Sequence, residues 1–120
     1  IYYLLSAEFP IGHFHKSQSD IMHYFHTGDP INYYMLNPDG TMQNVVLGPD
    51  PTQGHQLQMM VKGGTWKASK VSLNGDYGYG LIGEAVAPGF EYSDMQLGKT
   101  SDLLEEFPQH TKLIVELSRD

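Results

Sequence analysis

The sequence predicts an all-β protein, a single domain of residues 1–120 whose short strands close into a sandwich or barrel. Short runs of apolar and aromatic residues are interrupted by Gly, Pro, Asn and Asp, which is typical of many short strands. Turn signals at residues 37–40 and at Asn74-Gly75 each predict a hairpin between neighbouring antiparallel strands. With 120 residues the chain is long enough for one self-sufficient core. Closure of a sheet on itself hides the edges of such strands.

Each strand is predicted from one run that is rich in β-branched or aromatic residues. The predicted strands cover residues 1–5, 12–16, 21–26, 31–36, 42–47, 55–62, 65–71, 79–87 and 90–97. One helix is predicted at residues 101–107, where Ser101 or Asp102 caps the N-terminus and Pro108 ends the helix. We expect this helix to pack on the outside of a sheet.

The composition excludes several classes of function. Seven Lys and Arg residues against fourteen Asp and Glu residues give a net charge of −7, which disfavours nucleic acid and anionic membranes as partners. The absence of cysteine removes disulfides, thiol catalysis and Cys-ligated zinc, and it fits a reducing compartment such as the cytoplasm. No apolar run approaches the roughly 20 residues of a membrane span. A small-molecule ligand is the expected partner.

Four of the six histidines lie close together, at His13, His15, His23 and His26. Because side chains alternate across a strand, His13 and His15 are predicted to share one face. On the next strand His23 and His26 point to opposite faces, and we expect His23 to join the pair. Such a cluster suits either a metal ion or acid–base chemistry near neutral pH, although strand histidines bonded only to backbone are the structural alternative.

Glu84 is a carboxylate within an otherwise apolar run of the eighth predicted strand. A buried carboxylate has to be paired, hydrogen-bonded or metal-bound, or its pKa rises. Two interpretations are open: a functional group in a site, or a structural salt bridge to Lys67 or Lys70.

Three further residues are candidates for ligand contacts. Gln58 shares a strand face with other polar residues and presents an amide to a ligand in the barrel, or else it lies on an exposed edge. Trp66 and Tyr92 are candidate stacking walls, although aromatic residues in a barrel are often simply core.

The histidine pair belongs to a stretch that resembles the first motif of the cupin superfamily. In that motif a His-x-His pair, here His13 and His15, precedes a Glu and then a Gly, here Gly28. The Glu position is occupied by Ile21. The second cupin motif, Pro-x-Gly-x-x-His, resembles Lys-Gly-Gly-Thr-Trp-Lys in this chain and ends at Lys67 instead of histidine. The departures at these two positions remove two of the four metal ligands that the resemblance would supply.

The chain is more similar to one family of small single-domain cupins, catalogued as a domain of unknown function and similar in fold to dTDP-sugar epimerases. The matching segments are residues 1–5, 19–30, 47–48, 63–66 and 86–90, followed by Glu91. This resemblance implies a cupin barrel, also called a double-stranded β-helix or jelly roll, with one short C-terminal helix. It also implies a homodimer, for which the aromatic strand at residues 31–36, with Tyr33 and Tyr34, is the predicted interface.

The preferred hypothesis is an isomerase, epimerase or lyase that acts on a carbonyl or sugar-type metabolite without a cofactor. His15 is the predicted base, Lys67 stabilises the oxyanion, and Glu84 or Tyr92 directs protons. The predicted substrate-binding residues are His13, His23, Gln58 and Trp66.

Two alternatives stay open. In the first, His13, His15 and Glu84 hold a divalent Fe, Mn, Ni or Zn ion for oxygenase or hydrolase-like chemistry. In the second, the protein is a non-catalytic small-molecule binding module, because a fold does not determine a function.

Overall fold

The computed structural model describes residues 1–89 and 91–120, which form nine strands and two α-helices. The strands are β1 (Tyr2–Ser6), β2 (Ile11–Ser17), β3 (Asp20–Gly28), β4 (Ile31–Leu36), β5 (Met42–Leu47), β6 (Gln58–Val61), β7 (Trp66–Val71), β8 (Tyr79–Ala87) and β9 (Met95–Leu97). The helices are α1 (Thr100–Glu106) and α2 (Thr111–Leu117). Each predicted strand has a counterpart. The last is reduced to β9, and Phe90 lies outside the described residues.

The strands form two antiparallel sheets that pack face to face. One sheet has four strands in the order β1-β8-β3-β6, and the other has five in the order β5-β4-β7-β2-β9. The predicted all-β architecture is therefore confirmed as a β-sandwich. Strands β6 and β5 are edge strands of opposite sheets, and a parallel bridge between Leu47 and Gln56 joins the sheets near the end of β5.

The main apolar core lies between the two sheets. Its buried residues are Leu5, Ile31, Tyr33, Met35, Val45, Leu47, Met59, Val61, Val71 and Ile82. They come from alternate positions of their strands, as expected where one face of each strand turns inward. The inward positions of β7 beside this core are polar, since Lys67 and Ser69 are buried there.

A second apolar layer covers the outer face of the five-stranded sheet. It contains Phe14, Leu36, Trp66 and Ala68 from the strands, packed against Leu103, Phe107, Ile114 and Leu117 of the C-terminal segment. Helix α1 confirms the helix predicted at residues 101–107 but begins one residue earlier, so the predicted cap at Ser101 or Asp102 is wrong: Lys99 takes the N-cap position without a side-chain hydrogen bond. Helix α2 is not predicted by the sequence analysis, because Pro108 indicates the end of the helical segment and α2 begins only three residues later. Neither helix is long and apolar enough to cross a membrane.

The strand proposed as a dimer interface lies in the interior instead. Strand β4 sits between β5 and β7, so neither of its edges is open. Tyr33 is only 1% exposed in the inter-sheet core, and Tyr34 packs partly buried against the helical layer. The prediction that this aromatic strand forms an interface is wrong because its aromatic side chains fill both cores. Dimerisation itself stays a prediction.

Asp29 ties the loop before β8 to the end of β3. Its buried carboxylate accepts hydrogen bonds from the backbone amides of Tyr77 (3.1 Å) and Gly78 (2.8 Å). Gly75 allows the loop to approach, because a Cβ there would lie 2.2 Å from that carboxylate. The loop therefore depends on one buried acceptor.

We expect Asp29→Ala to lower the free energy of unfolding by about 1–3 kcal/mol, because two amides lose their acceptor. Urea unfolding followed by fluorescence measures the change. The control is Asp76→Ala, which removes an exposed carboxylate from the same loop. Equal losses in the two variants would contradict the role given to Asp29.

Candidate functional site

A buried lysine forms the centre of the polar cluster between the sheets. Lys67 is 3% exposed, and its Nζ lies 2.7 Å from Nε2 of His23 and 3.5 Å from Oε1 of Glu84. Burial lowers the pKa of the Lys67 ammonium, and the charge of Glu84 acts in the opposite direction. An isolated ammonium in such a place is costly, so the two partners are required for Lys67 to stay charged.

His23 is the neutral partner of Lys67. It is fully buried on β3, and its Nδ1 lies 3.2 Å from the carbonyl oxygen of Ile21. Because a carbonyl only accepts, Nδ1 carries the proton and donates it, which leaves the Nε2 lone pair to accept from the Lys67 ammonium. Burial and the charge of Lys67 lower the pKa of His23 to about 3. The imidazole is therefore neutral at physiological pH.

Glu84 supplies the negative charge of the cluster. It lies directly opposite His23 in the pairing of β3 with β8, and its Oε1 is 3.5 Å from both Nε2 of His23 and Nζ of Lys67. Its side chain is 16% exposed, so the carboxylate reaches water while it faces the cation. The predicted ion pair with Lys67 is present. Lys70 pairs with Glu116 instead, at 2.7 Å.

His15 faces Lys67 across the neighbouring pair of strands, β2 and β7. Its Nδ1 lies 2.9 Å from the carbonyl oxygen of His13, so Nδ1 donates and Nε2 keeps a free lone pair. Burial lowers the pKa of His15, and the charge of Lys67 lowers it further. His15 and Lys67 line one small cavity of about 10 Å³, roughly the room that one water molecule needs.

His13 does not share a face with His15, because the register of β2 shifts between Gly12 and His15. Gly12 pairs with Ser69 and His15 pairs with Lys67, so two residues of β2 oppose the single residue Ala68. This β-bulge breaks the alternation on which the prediction rested. Burial lowers the pKa of His13, and the positive charge of Arg119, which follows α2, lowers it further. The prediction that His13 joins the interior pair is wrong.

Three other predicted site residues lie away from the interior cavity. Trp66 belongs to the helical layer, because Lys67 takes the inward position next to it, and Lys16 lies 4.7 Å above the ring. Tyr92 lies in a 3₁₀ turn at the surface and is 79% exposed. Gln58 is exposed because Met59 and Val61 take the inward positions of β6, so its amide does not reach the space between the two sheets.

Two tyrosines and a serine of the polar cluster were not predicted as site residues. The Tyr33 ring contacts His23 edge-on at 5.3 Å between centroids, and its buried hydroxyl has no hydrogen-bond partner among the described residues. Burial and the charge of Glu84 raise the pKa of Tyr33 and of Tyr3. Ser69 acts in the opposite direction and lowers the pKa of Tyr33, although it makes no hydrogen bond to the Tyr33 hydroxyl. The sequence gives one signal for part of this set. Lys67 and Ser69 are two positions apart and therefore share one face of β7.

The residues present do not fit the metal site of the alternative hypothesis. Among the described residues, no three His, Asp or Glu side chains form a group that could hold a metal ion. His13 lies on the other side of β2 from His15. The Lys67 ammonium occupies the position between His23 and Glu84 that a cation would need.

The fold and these motifs agree with a known family. A family model described as Cupin superfamily (DUF985) matches residues 1–98 of this chain. The chain belongs to this cupin family. Position 67, where the cupin pattern has a metal-binding histidine, holds the buried lysine of this cupin's central cluster.

Similar proteins share the fold over most of the chain. An uncharacterized protein of Saccharomyces cerevisiae is 39% identical over 88% of this chain, which spans about half (52%) of that relative. A hypothetical protein from Leishmania major has a TM-score of 0.93 at 30% identity, covering 99% of this chain and 74% of its own. A Shewanella oneidensis protein has a TM-score of 0.89 at 35% identity, with coverages of 98% and 72%.

Solved cupins of known activity share only the fold. A TDP-quinovose 3,4-ketoisomerase from Campylobacter jejuni has a TM-score of 0.54 at 11% identity, over 79% of this chain and 67% of its own. Oxalate decarboxylase from Bacillus subtilis has a TM-score of 0.54 at 9% identity, over 99% of this chain and 35% of its own. Any activity of this cupin has to be argued from its own residues.

We expect the free energy of unfolding to fall as the pH drops from about 6.5 toward 3. In this range the unfolded chain protonates His23 whereas the folded chain keeps it neutral, which costs up to about 1.4 kcal/mol per pH unit. His23→Gln removes the group that takes up this proton. The free energy of unfolding should then depend less steeply on pH, by about that amount. The control is His26→Gln, an imidazole exposed on the outer face. Equal flattening in both variants would contradict the assignment.

Glu84→Gln should destabilise the fold by about 3 kcal/mol, because it leaves a buried ammonium without its counter-charge. Lys67→Met should cost less, since an apolar side chain of similar length leaves the partly exposed Glu84 and one neutral acceptor, Nε2 of His23, but no unpaired buried charge. The matched control is Glu116→Gln, which breaks the surface pair with Lys70 and should change stability by at most about 1 kcal/mol. Denaturant unfolding at neutral pH measures all three. A larger loss in Lys67→Met than in Glu84→Gln would reverse this interpretation.

Proposed function

We propose that this cupin is an isomerase or epimerase that moves a proton on a carbon next to a carbonyl group. One observation carries the proposal: His15, with a free Nε2, and the Lys67 ammonium line the same cavity. A neutral base beside a fixed cation is the pair of groups that enolate formation requires.

His15 acts as the general base in this proposal. Its Nε2 takes a proton from the carbon next to the carbonyl, and the electron pair of the broken C–H bond forms the enolate. The hydrogen bond from Nδ1 to the His13 carbonyl holds the ring and its tautomer. The protonated His15 then returns the proton to the neighbouring carbon while the hydroxyl proton of that carbon moves to the enolate oxygen, so the carbonyl group shifts by one carbon. Return of the proton to the original carbon gives an epimer when it reaches the opposite face of the enolate. The step needs no oxidant, reductant or metal.

Lys67 stabilises the negative charge that develops on the carbonyl oxygen. A cation held in advance in a site with little water stabilises an enolate more strongly than a solvated ammonium does. His23 and Glu84 are positioning residues, because both contact Nζ of Lys67. Burial lowers the pKa of His15 and the charge of Lys67 lowers it further, so the base is unprotonated at neutral pH.

The cavity has to enlarge to admit a substrate, because about 10 Å³ holds no more than a water molecule. Lys62 and Thr65, at the two ends of the turn between β6 and β7, form part of its wall. Gly64 in this turn has a φ of +86°, and a Cβ there would meet no atom within 4 Å. Movement of this turn is the proposed route of entry, and it breaks the hydrogen bonds from Gly63 N to Asp20 Oδ1 (2.8 Å) and from Gly64 N to the Ser17 carbonyl oxygen (2.8 Å).

Solvent exchange tests the proposal without knowledge of the natural substrate. Dihydroxyacetone, D-fructose, D-xylulose and pyruvate are incubated with the protein in D₂O, and proton NMR follows loss of the C–H signals next to the carbonyl. We expect faster exchange than in buffer for at least one probe. His15→Gln should slow that exchange by about 10²–10⁴, and Lys67→Met should also slow it strongly.

The control variant is His26→Gln, whose imidazole lies on the outer face of the four-stranded sheet and contacts Tyr2. It should exchange at the parent rate, and the thermal midpoints confirm that each variant is folded. Exchange no faster than in buffer for every probe, or parent-like exchange by His15→Gln, would overturn the proposal. The first of these outcomes, combined with ligand binding, would favour a non-catalytic binding module.

A further inference from the structure

An open cleft runs along the edge of the sandwich where β5 of one sheet faces β6 of the other. This seam cleft, of about 270 Å³, is lined by Met22, Met35, Gln43, Gln56, Gln58 and Met60, among others. The bridge between Leu47 and Gln56 closes one end of it. The other end is open because β5 and β6 do not pair with each other.

Three glutamine amides converge on the seam cleft. Gln43 comes from β5, opposite the inward residue Met35, and Gln58 and Gln56 come from β6 and the residues before it. In residues 1–89 and 91–120 none of these side-chain amides makes a hydrogen bond within the protein. An amide offers both a donor and an acceptor, which matches the hydroxyl groups of a ligand.

The seam cleft and the cavity of His15 and Lys67 are both adjacent to a third cavity, which shares wall residues with each of them. A neighbouring cavity of about 200 Å³ shares Met35, Gln43 and Met60 with the seam cleft. It also shares Lys62 and Thr65 with the cavity of the buried lysine. A ligand in the seam cleft therefore lies next to the turn through which the proposed substrate enters.

The lining chemistry restricts the class of ligand. Among the described residues that line the seam cleft and its neighbouring cavity, Lys62 is the single charged one. A diphosphate would need several cationic groups or backbone amides around its oxygens. The seam offers amides and the apolar surface of methionines, which suit hydroxyl groups on a carbon skeleton.

We propose that the seam cleft is a subsite for an uncharged polyhydroxy group, the saccharide part of a substrate that is not linked to a nucleotide. This assignment rests on the proposed function, since it places the reacting carbonyl of the same molecule at His15 and Lys67. Gln43 and Gln58 bind the hydroxyl groups, and the methionines contact the carbon face of the sugar.

Binding and exchange are measured separately to test the subsite. D-Fructose and D-xylose are titrated into the parent protein, and saturation-transfer NMR measures their affinity. Gln43→Leu and Gln58→Leu should each weaken binding by about tenfold. The control is Gln96→Leu on β9, outside the cleft, which should bind as the parent does. His15→Gln should keep its affinity.

The outcomes separate this subsite from the proposed function. Loss of sugar binding in Gln43→Leu and Gln58→Leu supports the subsite, whether or not deuterium exchange occurs. Sugar binding that the two variants retain, or that the parent lacks, would overturn the subsite, even where exchange at His15 is intact. UDP-glucose that binds at least tenfold more tightly than the free sugars would overturn the assignment of an uncharged ligand.

Discussion

One ammonium group between two β-sheets governs the polar interior of this protein. Lys67 is buried beside the apolar inter-sheet core, and the free energy of its burial has to be offset. Glu84 supplies the opposite charge and His23 supplies a lone pair, each from a strand of the facing sheet. A carboxylate in an apolar strand and a fully buried imidazole are both explained by this one cation.

The same cation determines what chemistry the interior can support. Together with burial it lowers the pKa of the neighbouring His15, and it takes the place that a metal would occupy beside His23 and Glu84. In the proposed function, side chains alone therefore provide the base and the stabilising cation. This arrangement couples stability to chemistry, because the partners that offset the burial of Lys67 are also the groups that orient it toward the cavity.

The two sheets differ in ways that place the site. The five-stranded sheet is covered on its outer face by α1 and α2, so β4 and β7 are buried on both faces and hold Tyr33, Lys67 and Ser69 firmly. The four-stranded sheet has no helical cover and ends in the edge strand β6. The turn after β6 and the seam cleft lie beside this edge. We therefore expect a ligand to reach the interior from this side of the sandwich.

The sequence by itself determined the strands, the hairpin turn at residues 37–40, the first helix and the family, because these follow from local periodicity, turn chemistry and short motifs. The hairpin predicted at Asn74-Gly75 is wrong, because β7 and β8 lie in different sheets. The sequence also singled out His15 by the histidine cluster, Lys67 by the cupin pattern and Glu84 as a carboxylate in an apolar strand. Only the tertiary structure decided which face each side chain takes. A β-bulge in β2 places His13 and His15 on different faces. Trp66 faces the helical layer because Lys67, the next residue of β7, faces inward. Tyr33 was assigned to a surface because a strand pattern does not distinguish a central strand from an edge, and sheet order depends on contacts between residues far apart in the chain.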